Sequence, residues 1–559
     1  MRKLSIIGLT AAVATCVIWA ADWPSQSGNP QRDGWAKGEK AFTKENAGKI
    51  EFLYKYKAEN QAKGLQSIGS PVVNGFLITY LGFKEMLAFA GSGDNVWSID
   101  ADLNRAIWKI HLDYKGDQPQ VSTATSVCPG GLTAAIAMPG SSANAGARGG
   151  APAGRGRAGA PGAGRGPVPP PTPPPTPPLL AAGNFGRGAN FAAVSSDGHL
   201  HVLNSSTGAE RTSAPIQFAP ANAKLSALNI NNNIVYAATQ DGCGGNANAI
   251  YAVNLSSADA PKLTSFETNG GSAAGSGGTA IATDGTVFAQ IPDGKGEVAG
   301  VYNDTVLALS PDLKVKDYFT PQGPALPVTR GVPAPGSTPL IFTFKGKEFV
   351  VAGGRDGRLY LLDAKAPGGA DHQTPLFRTE PVAAADAKFS GNGFWGTFAS
   401  WEAEAGGSRW VLASVWGPAS AGTANGKVSN GAVVAFKVEE EAGKTVLTPA
   451  WTSRDMLTPA PVVIANGLVF ALSTGQSARQ AKENGTLYSV AEKQKLATRA
   501  VLYVLDGETG KELYSSGNTA STFSSAGVAV ANRRIYFTTH DNFVYSLGFL
   551  AEQPQLTGK

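Results

Sequence analysis

Residues that could carry chemistry are few and scattered in this 559-residue chain. Of its five histidines, only His199 and His201 lie close together, two apart on an expected strand, so both rings face one side of it. Such a pair holds a metal only with a third ligand, and none is near in sequence; packing or hydrogen bonding is the expected role. His540, beside Asp541, falls at an expected turn. Asp100-Ala101-Asp102-Leu103-Asn104 begins like a calcium loop, but Arg105 stands where the sharp turn needs glycine and His111 where a bidentate glutamate is needed. Gly154-Arg155-Gly156-Arg157-Ala158-Gly159 has the spacing of a dinucleotide fingerprint. It follows no strand and opens no helix, so it presents no helix N-terminus to a pyrophosphate. GxSxG, HExxH and P-loop patterns are absent from the sequence.

Compartment follows from the N-terminus. Arg2 and Lys3 precede the apolar run LSIIGLTAAVATCVIWAA, which reads as a secretory signal cut near Ala20 or Ala21. A retained anchor and lipidation of Cys16 are the alternatives. The expected location is periplasmic or secreted, with residues 1–21 as signal peptide and 22–559 as one domain. Two cysteines remain, Cys128 and Cys243. In an oxidising compartment an isolated pair favours a disulfide, with two separate buried thiols as the alternative. The count excludes a cysteine zinc site, and without CxxC or CxxCH neither a thioredoxin-like centre nor covalent haem is supported. The formal charge of +5 is small for this length and argues against nucleic-acid binding.

The elements that must position any site are repeated. WSIDADLNRAIW (97–108), HVLNSSTGAERT (201–212), LALSPDLKVKDY (307–318) and YVLDGETGKELY (503–514) each read as strand, tight turn, strand. They align on Asp100, Asn204, Ser310 and Asp506, with Asn104, Gly208, Lys314 and Gly510 four residues on. Trp108, Thr212, Tyr318 and Tyr514 follow at eight, and the aromatics suit wedges between neighbouring units. A hairpin precedes the pattern, as in SPVVNGFLITYL (70–81), TAIATDGTVFAQI (279–291), APVVIANGLVFAL (460–472) and AGVAVANRRIYFT (526–538). Asn-Gly or Asp-Gly marks the turn in three of these. Joined, the two patterns make a four-stranded antiparallel meander, strands A to D. Units begin near Ser70, Gly131, Lys224, Gly278, Pro339, Phe394, Ala460 and Ala526. The last supplies three strands, and IEFLYKYK (50–57) is the fourth, which removes an open edge. The expected fold is all-β: an eight-bladed β-propeller of four-stranded antiparallel blades, closed by an N-terminal strand in the last blade. Residues 139–188, rich in Gly, Ala, Arg and Pro, interrupt blade 2 as a disordered insertion, a solvated loop or a tether to an anionic polymer.

LDGETGKELY (505–514) resembles the pyrroloquinoline-quinone (PQQ) repeat, and RDGRLYLLDA (355–364) is similar to another blade of that group. DWPSQSGNPQRDGW (22–35), followed by FTKENAGKIEFLYKY (42–56), resembles the entry segment of PQQ-dependent dehydrogenases. The resemblance implies one of two branches. Quinoprotein dehydrogenases hold PQQ and calcium in an axial funnel, with an aspartate base, a tryptophan floor and often two adjacent cysteines. BamB-like propellers keep the fold without cofactor and bind proteins. This chain has no adjacent cysteines, and no position matches the calcium-ligating Glu and Asn or a Trp-Asp base motif. By blade position Trp395 and Trp401 are candidate funnel indoles and Asp455 the candidate base, with core packing as the alternative for each. Cys128 and Cys243 are expected to link neighbouring blades. The leading expectation is a noncatalytic binding or scaffold protein of the cell envelope, with partners on its rim loops. The alternative is a PQQ- and calcium-dependent alcohol or sugar dehydrogenase. A propeller hydrolase or lyase comes third.

Overall fold

The computed structural model describes residues 21–79, 82–112, 125–140, 179–180, 190–257, 260–293, 304–323, 331–403 and 407–550. Short runs of Val, Ile, Leu, Ala and aromatic residues form strands because branched and flat side chains pack well on a pleated surface. Eight antiparallel sheets result, one per repeat unit, arranged as the blades of a propeller.

Blade 1 comprises Val72–Thr79, Gly82–Gly91, Asn95–Asp100 and Arg105–His111. Blade 3 comprises Asn229–Asn231, Ile234–Gln240, Ala249–Asn254 and Lys262–Glu267, and blade 4 Ala280–Ile281, Val287–Ile291, Thr305–Leu309 and Val315–Phe319. Blade 5 is Leu340–Phe344, Lys347–Gly353, Leu359–Asp363 and Phe377–Arg378. The main strands of blade 6 are Ala399–Glu402, Arg409–Trp416, Gly431–Glu441 and Lys444–Thr452. Blade 7 is Val463–Ala465, Leu468–Ser473, Val501–Asp506 and Glu512–Ser515, with one short helix, Val490–Leu496, between its second and third strands. Blade 8 is Ala529–Ala531, Arg534–Thr538 and Phe543–Gly548, and its outer strand is Glu51–Lys57, paired antiparallel with Phe543–Gly548. The ring is closed by residues almost 500 apart in sequence.

The repeat has a physical cause in each C–D turn. The Asp506 carboxylate accepts the amides of Glu508 and Thr509 at 2.9 and 3.0 Å, and Asp100 and Asn204 do the same for the two residues that follow them at +2 and +3. Gly510 adopts φ 70°, and a Cβ there would lie 2.3 Å from the Trp451 ring. Trp451, at the end of strand D in blade 6, also donates its Nε1–H to the Gly507 carbonyl of blade 7 at 3.1 Å. Trp108 repeats the contact on blade 2, donating to the Ser205 carbonyl at 2.9 Å, with its ring against Gly208. Each wedge locks one blade to the next. Tyr318 varies the theme and stacks on His372 of blade 5 at 4.2 Å.

Three local expectations change. Asn74-Gly75 is not the hairpin turn of blade 1; strand A runs through it to Thr79, with a register shift between Asn74 and Leu77. Blade 2 is thinner than its neighbours: its first strand is reduced to a bridge between Ala137 and Ala192, followed by Asn190–Val194, His199–Asn204 and Ile216–Gln217. Of the 139–188 insertion, most lies outside the described residues, but Leu179 and Leu180 are buried against Leu200, Phe218 and Leu228. Two leucines following the proline run supply enough apolar surface to join the core.

Candidate functional site

The innermost strands would leave amides and carbonyls open along the axis. At one end residues 21–39 satisfy them. This segment hydrogen-bonds in turn to blade 1 (Trp23 with Val73), blade 2 (Met138 to Pro24), blade 4 (Ile281 to Pro30), blade 5 (Ile341 to Gln31), blade 6 (Ser400 to Asp33) and blade 7 (Ile464 to Gly34). Asn229 of blade 3 donates to Pro30, and Arg533 of blade 8 donates to Glu39. Arg32 lies at its heart, fully buried, its guanidinium donating to the carbonyls of Gln26, Ala227, Leu228, Gly277 and Thr279. The entry segment is a plug.

The other end stays open. The B–C loops and D–A connections gather there around a cavity of about 320 Å³ that Gln26 of the plug helps to line. Gly69, Ala135, Ala227, Gly275, Gly336, Gly396 and Gly527 line it with no side chain larger than a methyl group. Trp395 and Trp416, also in the lining, stack on each other with centroids 5.1 Å apart. Both indoles are fixed by backbone, Trp395 donating to the Gly391 carbonyl at 2.8 Å and Trp416 to that of Pro459 at 3.1 Å.

The polar wall is made mostly of neutral amides and hydroxyls. Gln240 donates both amide hydrogens to the carbonyls of Ala273 and Gly275. Gln476 donates to Ser524 and Gln480 to Ala478, while Ser126 and Thr133 donate to the carbonyls of Tyr488 and Leu225. These groups are turned into the wall and leave the Gln oxygens as acceptors, while the hydroxyls of Ser70 and Ser276, which accept from Gly527 and Gln26, add donors to the lining. Charges are matched: Lys224 meets Asp241 at 2.6 Å, and Asp293 accepts from the Ser272 amide at 2.7 Å beside Arg355. Burial raises the Asp293 carboxyl to about 6 and that of Asp304, behind it, to about 7.

The sequence candidates disperse. Trp395 lines the funnel. Trp401 does not: it is buried between blades 6 and 7, stacked on Trp410 at 6.2 Å. Asp455 lies outside the cavity lining and accepts from the Ser429 amide and from both the backbone and side-chain nitrogens of Asn430 at 2.7–2.8 Å. Partial burial pulls its carboxyl upward, but these donors outweigh that and hold it below the ordinary aspartate range. Cys128 and Cys243 form a disulfide, Cα atoms 5.3 Å apart, that ties the segment entering blade 2 to the B–C loop of blade 3. His199 pairs with Asp197 at 2.8 Å. His201 lies 2.9 Å from Glu210 and 3.2 Å from the Ser195 hydroxyl, an outline like a nucleophile–base–carboxylate triad. Ser195 and His201 are both buried, and Ser195 donates to Asp197, so substrate has no approach. The set ties a turn.

Gln240, Asp241, Asp293, Trp416 and Gln476 were missed by sequence reasoning. Their signal is positional, since each follows or ends the second strand of its unit.

PQQ carries three carboxylates and quinone oxygens, so its site needs several donors or cations and a calcium cage. This wall offers neutral amides and hydroxyls, and its lysine is already paired. Among the described residues no group of three or more His, Cys, Asp or Glu could hold a metal ion. The described lining does not fit the cofactor.

No family model and no curated protein matches the chain. Among solved structures it is similar to a quinohemoprotein alcohol dehydrogenase from Pseudomonas putida HK5, with a TM-score of 0.55 and 10% identity over 96% of this chain and 82% of that one. A europium-containing methanol dehydrogenase gives 0.53 and 12% over 94% and 89%, and BamB from Moraxella catarrhalis 0.45 and 13% over 90% and 99%. At these identities the likeness speaks to fold alone. The chain is an eight-bladed β-propeller.

Proposed function

We propose that this propeller is a secreted or periplasmic, noncatalytic binding protein of the cell envelope, which takes its partner at the funnel and the rim loops around it. One observation carries the reading: the funnel wall is lined with neutral amides, hydroxyls and internally paired charges and has no metal cage among the described residues, where a quinone site requires cations and a metal cage. Described residues include no helix long and apolar enough to cross a membrane. The fold shared with two dehydrogenases supports a second reading, PQQ- and calcium-dependent oxidation of an alcohol or sugar.

Titration with PQQ and calcium chloride separates the two, read by thermal midpoint, quinone absorbance and dye reduction over an alcohol and sugar panel. The binding reading expects no rise in midpoint and no turnover. A saturable rise with bound quinone absorbance would overturn it.

A further inference from the structure

The hydrogen-bond polarity of the funnel narrows its ligand, given the noncatalytic binding reading above. Gln240, Gln476 and Gln480 are half-buried and line the cavity. Their amide orientation is set by the backbone carbonyls their nitrogens meet, so each Oε1 must face away from those carbonyls. These oxygens receive no hydrogen bond from the described residues, and they are not among the buried unpaired atoms. They are open to the cavity. A group that meets these oxygens must donate to them, because an acceptor placed against an acceptor loses its water without replacement.

Charge and shape limit the choice further. Lys224 is paired with Asp241, and Arg355 stands beside Asp293, so the lining offers no large net field to favour an ion. The stacked, half-buried Trp395 and Trp416 supply a flat apolar wall whose own N–H groups are occupied. The cavity, about 320 Å³, lies at the lower end of the range for small-molecule sites. A flat apolar wall and exposed amide oxygens in one cavity suit a molecule with one C–H face and an equatorial rim of hydroxyls.

We propose that the funnel binds a neutral, hydroxyl-rich ring, a pyranoside, laid on the Trp395–Trp416 pair with its hydroxyls donating to the Oε1 atoms of Gln240, Gln476 and Gln480. Such a ring is available as a free sugar or as the end of a glycan chain. Binding involves no bond-making step.

The test titrates the full mature protein, read by calorimetry and tryptophan fluorescence. Ligands are methyl glucopyranoside, maltotriose, cellotriose, tri-N-acetylchitotriose, spermidine, and PQQ with calcium. At least one neutral saccharide should bind saturably and perturb the indole emission; methyl glucopyranoside alone indicates a free sugar, and a trisaccharide alone a chain end. Trp395→Ala and Trp416→Ala should each weaken binding about tenfold, the worth of one aromatic wall. Gln480→Leu, at a half-exposed loop position, should weaken it about three- to tenfold and leave the thermal midpoint unchanged. It keeps the test valid if a tryptophan variant fails to fold. Saccharide binding indifferent to all three substitutions would overturn the proposal, as would silence across the saccharide panel. Spermidine binding with silent saccharides removes the ligand class but leaves a binding funnel. Tight PQQ and calcium binding removes both.

Discussion

Arg32 carries its charge to the centre of the ring, and among the described residues no carboxylate pairs with it. Burial alone lowers its guanidinium to about 9, and five carbonyl oxygens compensate. Arg32→Ala would strip partners from those five at once, so a destabilisation of about 3 kcal/mol or more is expected, measured as a lower thermal midpoint. Asp304 works in the opposite direction. Burial raises its carboxyl to about 7, so between the unfolded value of about 4 and that point the folded state holds the extra proton. Its contribution is therefore greatest at low pH and is lost as pH rises through the folded value. Asp304→Asn should leave the midpoint unchanged near pH 4 and raise it at pH 8; equal shifts at both would reject the titration.

Elements are held by devices that a single residue cannot provide. The Cys128–Cys243 disulfide closes a loop with a sequence separation of 115. In the chain-entropy account its loss costs about 5 kcal/mol, so the Cys128→Ser/Cys243→Ser double variant and reduced wild type should melt early, and by similar amounts. The Trp451 wedge and its glycine form a matched pair. Gly510→Ala meets both a positive φ and the indole at 2.3 Å, and it should destabilise nearly as much as Trp451→Ala, about 3–5 kcal/mol. Turn chemistry was largely legible here: Asn466-Gly467 joins Ala465 to Leu468 as read, with φ 47° and 77°. Asn74-Gly75 was not, because the same dipeptide suits a bulge inside a strand, and only pairing with the neighbouring strand distinguishes the two.

For the whole molecule, ring closure couples the N-terminal strand to the last one. A chain beginning at Ala58 would leave Phe543–Gly548 as an open edge and remove the plug; it should be recovered as aggregate, whereas one beginning at Asp22 stays soluble. Chelation is the complementary check. With no metal cage among the described residues, EDTA should not move the thermal midpoint.

Strand, turn and wedge residues recur at a fixed spacing, so eight units and their closure could be read along the chain: local periodicity is a property of sequence. The site is not periodic. Gln240, Trp416 and Gln480 come from blades 3, 6 and 7, and nothing in their local sequence says that they share one cavity. Nor does sequence show which way an amide points, since that depends on the carbonyls it meets after folding. Trp395 and Trp401 are six residues apart and equally plausible on paper; one lines the funnel and the other lies between blades. Packing around the axis made that choice, because only the assembled ring defines an inside.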